Sequence, residues 1–540
     1  MDVKLIDLPK PSPLVEAYSA SSPTIHAFFD YDYNSEASYQ KRLEELSARP
    51  YKRAELVQVL TQFNQRLSAP SQVFENINRL TKPNSVVVVG GQQAGLLTGP
   101  IFTIHKCLAI LQLAREKEEQ LKVPVVPVFW IAGEDHDFAE VNHVFFYQQN
   151  SLRKFPFKIK GSGQSAVSDL PYNPDELEKW VEEVFRAFGE TEFTEELLKQ
   201  VKQTVREADT LVSFFGRLIH QLFGKYGLVL MDSADPHLRK IESSYFAEMI
   251  DRSEKIATGV TSQLERLKQA GYTVQLDQTD QSANLFVTHE QQRILLTRDQ
   301  GDFVNTDKGF RKTKEELLGL TECAPHLLSN NVVTRPLMQD LVLPTLAFVA
   351  GPGEIAYWSA LQPAFHSLGI LMPPVVPRFH LVMVNRQAEK WLQEKNLTVE
   401  DVLKGKLRDK KEEWLKAQHE WEVDRYFETA REAMKTAYQP YKELAVQIHS
   451  ELNELSRSNW DRIEHQMDYL KKQMERYIRV RHQTELSRFD YLEAQLFPNN
   501  GPQERSWSVY AFLNEYGPDL VDRLMKERYS YNGRQYAVFL

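Results

Sequence analysis

The sequence has almost no cysteine: Cys107 and Cys323 are the whole supply in 540 residues. Two thiols cannot build a disulfide framework, nor a multi-cysteine zinc site by themselves, and they suit a reducing compartment. Long apolar runs are missing too. The most hydrophobic stretch, 123–133, is about half the ~20 residues a membrane-spanning helix needs and is broken by Pro124 and Pro127. The opening MDVKLIDLPKPSPLVEAY lacks the basic-then-apolar order of a secretory signal. There is no basic surplus: 65 Lys and Arg stand against 74 Asp and Glu, a net charge of −9, which excludes an overall polybasic footprint for nucleic acid. Hydrophobic residues at 42% and charged residues at 26% exclude a disordered or collagen-like chain. The expectation is a soluble cytoplasmic protein of two to four structural units, with neither nucleic acid nor membrane as a partner.

What is present is a texture that changes along the chain. The first 80 residues read as a polar, mostly helical lead-in, with apolar residues at helical spacing over 39–46 and 54–67. At Val86–Val89 a β-branched run suits a strand buried on both faces; it ends in Gly90-Gly91, and a helical pattern follows over 100–117. A second buried strand, 125–131, completes a βαβ unit of the parallel, doubly wound kind. The expected fold class is therefore α/β. Core strands return at 226–232, 346–351 and 375–384, so the core is interrupted by insertions. The expected division is 1–160 for the first part of the core and 161–225 for a helical insertion. Residues 226–384 form its second part, with a small antiparallel insert at about 270–320, whose strands are read at 273–276, 285–288, 294–297 and 303–305.

No proline or glycine occurs over 441–497. Leu444, Ile448, Leu452, Leu455, Ile463, Met467, Leu470, Met474 and Tyr477 recur at spacings of three and four, a coiled-coil seam with a stutter. At 1.5 Å per residue such a helix reaches about 85 Å. A helix over about 410–438 is expected to fold back on it after Pro440. Residues 385–500 are thus expected to be a helical coiled-coil domain that forms a homodimer, and 501–540, rich in aromatics, to pack back on the core.

Three segments carry chemistry. The first is GGQQAGLLTGPIFTIHK, 90–106. A glycine turn after a buried strand presents backbone N–H groups to phosphate or carboxylate, although Leu96-Leu97 stand where a phosphate-cradling loop has Lys-Ser/Thr. Gly90 and Gly91 are assigned to a nucleotide, Gln92, Gln93 and Thr98 to polar substrate groups, and His105 and Lys106 to catalysis. The second is WIAGEDHDFAEVNH, 130–143, again beyond a buried strand, where open α/β sheets bind ligands. Its ionisable cluster supplies Glu134 and Asn142 as substrate contacts and His136 and Asp137 as catalytic residues. No metal-site spacing occurs, so no metal is expected. The third is VAGPGEIAY, 349–357, with Gly351, Gly353 and Glu354 for a nucleotide and Tyr357 for substrate. Arg335 and Arg378 join as substrate-binding cations, because a charged residue beside a buried strand needs an anionic partner. Gln503-Glu504-Arg505 is a second polar site or a salt-bridged cap. All three motif segments are expected to meet in one cleft at the C-terminal edge of the sheet.

Together, GGQQAGLLTGPIFTIHK, WIAGEDHDFAEVNH and GPGEIAYW, followed by a long coiled coil and the QER turn, closely resemble the bacillithiol biosynthesis cysteine-adding enzyme family (BshC type) over essentially the whole chain. The resemblance implies a Rossmann-like parallel-sheet core with inserted connecting-peptide modules and an antiparallel coiled-coil domain that supports dimerisation. It implies a ligase that joins L-cysteine to the amine of glucosaminyl-malate in the last step of bacillithiol synthesis. Its plan is also similar to class I aminoacyl-tRNA synthetases, with 98–106 in the place of their ATP-holding motif. The cofactor is unknown from the sequence; amide formation needs activation, and ATP or another nucleotide is the expected cosubstrate. The alternative is a non-enzymatic nucleotide-binding or scaffold protein with a vestigial synthetase-like core.

Overall fold

The computed structural model describes residues 1–8, 10, 12–135, 137–148, 151–159, 166–418 and 421–540. The strands among them are β1 (Asp2–Ile6), β2 (Val86–Gln92), β3 (Val125–Ile131), β4 (His143–Gln148), β5 (Ser151–Pro156), β6 (Val229–Asp232), β7 (Ser282–His289), β8 (Gln292–Asp299), β9 (Asp302–Asn305), β10 (Phe310–Lys312), β11 (Leu328–Asn330), β12 (Thr345–Ala350), β13 (Val375–Pro377), β14 (His380–Val384) and β15 (Gln535–Phe539). The chain forms two compact units: 1–148 with 152–385 and 501–540, and 386–500 with 149–151.

In the first unit, five parallel strands run in the order β13-β12-β2-β3-β6. The chain winds from β2 outward through β3 and β6, then returns to the other side of β2 for β12 and β13. That is the Rossmann order, and its reversal point lies between β2 and β12. Val86–Val89 are each at most 2% exposed, as expected for a strand covered on both faces. The helix Phe102–Leu121 packs across β2 and β3. The helices Pro174–Phe188, Thr194–Glu207 and Leu211–Phe223 form the helical insertion. An antiparallel sheet, β10-β9-β8-β7-β11, forms the second insert.

Several expectations need correction. The strand does not end at Gly90-Gly91: β2 continues through both to Gln92, paired with Phe129, Trp130 and Ile131 of β3. The glycines are there for clearance. An added Cβ would lie 3.0 Å from Ile110 at Gly90, and 2.6 Å from the Trp130 carbonyl oxygen at Gly91. The first 80 residues are more than a lead-in. The Asn64 amide, on helix Arg53–Arg66, bonds both the carbonyl and the N–H of Leu230 in β6, and β1 pairs with β15. Residues 273–276 form no strand, and β11 supplies the sheet's last member. The run 375–384 splits, because Arg378 turns the chain: β13 stays in the main sheet, while β14 joins β15 and β1.

In the second unit the helices Val423–Ile448 and Leu452–Arg481 pack as an antiparallel pair. The reversal falls at His449–Glu451 rather than after Pro440, which sits inside the first helix. His449 is extended, and its ring Nδ1 accepts the Glu451 N–H at 3.3 Å, so the turn forms without glycine or proline. His482 separates Leu452–Arg481 from Gln483–Leu496, so 441–497 is three helical pieces, not one rod. Tyr438 donates to the Ser456 carbonyl at 3.0 Å and Lys471 pairs with Asp424 at 2.5 Å across the hairpin. No described helix is long and apolar enough to cross a membrane.

The clearance at Gly91 is testable. Gly91→Ala places a methyl against a carbonyl that cannot retreat without parting β2 from β3. It is expected to destabilise the protein by about 1–3 kcal/mol in urea unfolding, the usual scale for overpacking; an unchanged midpoint would show that the strands yield freely.

Candidate active site

The three motif segments converge at the C-terminal edge of the parallel sheet, where the strand order reverses. Two cavities adjoin there. An inner one of about 120 Å³ is lined by Gly91, Gln92, Gln93, Trp130, Ala132, Arg335, Glu354 and Tyr357. An outer one of about 280 Å³ is lined by Gln92, Gln93, Gly95, Gly99, Pro100, Phe102, Thr103, Glu140, Val141, His143 and Arg505. Gln92 and Gln93 belong to both. A further cavity, about 720 Å³, lies on the helical hairpin and contains none of these groups.

Behind the wall of the inner chamber, Lys106 is buried and donates to the Gly91 carbonyl at 2.7 Å, Gln92 Oε1 at 3.4 Å and Glu354 Oε2 at 2.7 Å. Burial pulls its pKa down, while Glu354 works against that. Arg335 donates to the Tyr357 hydroxyl at 3.0 Å and to Gln339 Oε1 at 3.2 Å. Trp130 is fully buried and its indole N–H has no partner. At the outer chamber, the Gln93 amide donates to Asp135 Oδ2 at 2.6 Å and Glu140 Oε2 at 2.9 Å, so two carboxylates meet on one NH₂ group. His143 has its pKa lowered to about 4, first by burial and then by Lys154, so the imidazole is neutral near pH 7. Asn142 Oδ1 lies 3.3 Å from its Nδ1 and orients the ring.

The floor of the outer chamber is a strained loop. Leu97, Thr98 and Gly99 have φ of 47°, 66° and 70°. A left-handed β-branched residue such as Thr98 persists only where its surroundings hold it. The C-terminal segment does so: Ser508 Oγ donates to the Leu97 carbonyl at 3.0 Å, and the Ile101 N–H donates to the Trp507 carbonyl at 2.7 Å. Thr98 is buried and spends its hydroxyl on the Leu97 carbonyl, so Thr103 rather than Thr98 lines the chamber.

Other assigned residues lie apart from both cavities. His105 is completely buried, with Nδ1 3.1 Å from Glu504 Oε2. Burial lowers its pKa to about 4 in spite of that carboxylate. Arg378 faces Glu504 as well, with both Nη atoms at 2.7 Å, and His380 Nδ1 is 3.0 Å away. The partner that Arg378 requires is thus a protein carboxylate. Burial alone would raise the Glu504 carboxyl; Arg378, His380 and the hydrogen bond with His105 outweigh it and hold the group well below the usual range. Glu134 is buried with Arg239, whose other nitrogen is 2.6 Å from Glu242. Asp137 is exposed at the start of Phe138–Val141, and His136 lies outside the described residues.

The glycines assigned to a nucleotide do not form a phosphate cradle. Gly90 and Gly91 are ladder residues, and the Gly351 N–H is taken by Glu354 Oε2 at 2.7 Å, which puts a carboxylate where an anion would sit. Gly353 has open space around it but belongs to the same short helix, Pro352–Trp358. Among the described residues no group of three or more His, Cys, Asp or Glu is placed to hold a metal. Sequence reading passed over Glu140 and Trp130 as individual groups. Glu140 had one signal, an acid three residues beyond Asp137 on the loop after a core strand.

Glu504 can be tested directly. Glu504→Gln leaves the Arg378 guanidinium buried without its counter-charge, and a loss of about 3–5 kcal/mol is expected in urea at neutral pH. A carboxyl held low stabilises the fold above its unfolded pKa of about 4.3 and loses that contribution as pH falls below it. The gap between variant and wild type should therefore narrow in acid; a gap independent of pH would contradict the assignment.

Comparison with known proteins agrees with this architecture. Residues 1–379 match the family description "Bacillithiol biosynthesis BshC, N-terminal Rossmann-like domain", and 381–540 match its C-terminal coiled-coil domain. Relatives carrying the name "Putative cysteine ligase BshC" include one from Geobacillus sp., 40% identical over 542 residues. Others come from Bacillus cytotoxicus and Bacillus cereus, 38% and 37% identical over 540 residues; each pairing covers all of both chains.

Proposed function

Because the chain belongs to the bacillithiol biosynthesis BshC family, we propose that it is a cysteine ligase, forming the amide between L-cysteine and the amine of glucosaminyl-malate. The observation that carries this reading is the convergence of the three motif segments on two adjoining chambers at the sheet's reversal point. A condensing enzyme needs two substrates side by side, and two chambers with a common wall at Gln92 and Gln93 supply that arrangement.

Joining a carboxylate to an ammonium expels water and does not proceed unaided, so the cysteine carboxylate enters in activated form, with ATP or another nucleotide as cosubstrate. The chain's own residues bind and orient. Arg335 is the donor for negative charge on the acyl group, its guanidinium set by Tyr357 and Gln339. Asp135 and Glu140, joined through Gln93, attract the ammonium of the acceptor. The ammonium must lose a proton before its nitrogen attacks, and Asp137 with its neighbour His136 is proposed from the sequence as the acceptor. His105 holds Glu504 and is a positioning residue rather than a catalytic one.

The same reading takes the protein as a cytoplasmic homodimer, paired through the helical hairpin. Leu470 is 50% exposed and Met474 43%, on a face whose groove is almost wholly apolar. An apolar stripe of that length is unusual on a monomer.

Two experiments test these statements. In cells lacking their own copy, the gene should restore bacillithiol and remove accumulated glucosaminyl-malate. Gln93→Ala should lower product at least tenfold at equal protein level; full restoration by that variant would remove the ammonium site from the reading. For the dimer, light scattering should give twice the chain mass for wild type and the chain mass for Leu470→Asp with Met474→Asp, and a monomeric wild type at micromolar concentration would refute it.

A further inference from the structure

The two chambers differ in size and in charge, and the difference assigns the substrates. The inner chamber, about 120 Å³, has less than half the volume of the outer one at about 280 Å³. It suits the smaller of the two substrates, a three-carbon amino acid. Its charges do not balance. Lys106 is paired with Glu354, whereas Arg335 bonds only the neutral Tyr357 hydroxyl and Gln339 amide. A guanidinium at a chamber wall whose nearest carboxylate, Glu354, is bonded to Lys106 calls for a further anionic group from a ligand. Glu354 is the one carboxylate among the described lining residues; its Oε2 is held by Lys106 and the Gly351 N–H, which leaves Oε1 to an α-ammonium.

The outer chamber, about 280 Å³, has the reverse arrangement. Its anionic pole, Glu140 with Asp135, is at the wall shared with the inner chamber, since Gln93 carries both. Its cation, Arg505, is exposed, and no described carboxylate pairs with it. A glycoside that bears an amine on the sugar and carboxylates on the malyl group fits with its amine toward Gln93 and its malyl end toward Arg505. That orientation brings the amine to the boundary beyond which the amino acid sits.

We infer that the inner chamber is the cysteine site, with Arg335 taking the carboxylate and Glu354 the ammonium, and that the outer chamber holds the sugar acceptor, with Arg505 as the residue that selects its malyl group. This division rests on the ligase reading above and adds which substrate lies where.

Calorimetric titration of the purified full-length protein with L-cysteine and, separately, glucosaminyl-malate tests it. Arg335→Gln should weaken L-cysteine binding at least tenfold and leave glucosaminyl-malate within twofold. Arg505→Gln should do the opposite. Cysteamine, which lacks the carboxylate, should bind wild type at least tenfold more weakly than L-cysteine, and this arm keeps the test decisive if Arg335→Gln fails to fold. If wild type binds both compounds but the variants weaken them equally or in the reverse order, or cysteamine binds as well as cysteine, the division is overturned while the ligase reading stands. If wild type binds neither compound, the ligase reading falls, and the division with it.

Discussion

One buried carboxylate ties the site region together. Glu504 comes from the C-terminal segment, yet its partners are Arg378 after β13, His380 at the start of β14, and His105 on the first core helix. An isolated carboxylate in that position would be costly, and so would the arginine; together, with both forks bonded, each satisfies the other. The consequences spread through the adjoining residues. Next to Glu504, Gln503 bonds the Met383 N–H and carbonyl of β14 at 2.8 Å each, Arg505 reaches the outer chamber, and Trp507 and Ser508 hold the strained turn before the helix. The tail is therefore part of the core although more than a hundred residues separate it from β14.

The site follows from the order in which the sheet is wound. β3 and β6 lie to one side of β2 and β12 and β13 to the other, so the connections leave β2 and β12 in opposite directions and open a crevice at their C-terminal ends. Gly90 and Gly91 let β2 lie close to its neighbours up to the edge of that crevice, where Gln92 and Gln93 become the wall common to both chambers. Residues read as a phosphate-binding turn thus do a packing task, and the left-handed turn of the motif lies further on, at 97–99.

The legible parts of the sequence were those governed by local pattern. The Val86–Val89 run, the strand 125–131 and the helical character of the insertion each show within a dozen residues. Gln92, Gln93, Arg335 and Tyr357, read from the sequence as substrate contacts, line the cavities at the sheet edge. What misled was symmetry between alternatives. A Gly-Gly pair ends a strand or lets two strands approach, and only the neighbour, here Trp130, distinguishes them. Pro440 reads as a break, yet the helix continues through it and the chain turns at His449 instead. Arg378 and Glu134 were rightly read as charges in need of partners, but a partner in the protein and a ligand look alike in sequence.

By itself the sequence determined the class of fold, the helical hairpin's composition and the three segments that meet at the sheet edge, because hydrophobic period and strand-end chemistry are local. Only the tertiary structure decided which charges neutralise one another and which face a cavity. His105 and Arg378 are consumed by Glu504, over a hundred residues from either, whereas Arg335 hydrogen-bonds only the neutral Tyr357 hydroxyl and Gln339 amide. Ion pairing depends on distances of a few ångströms between groups that the chain order does not bring together, and the balance of charge around each chamber follows from those distances.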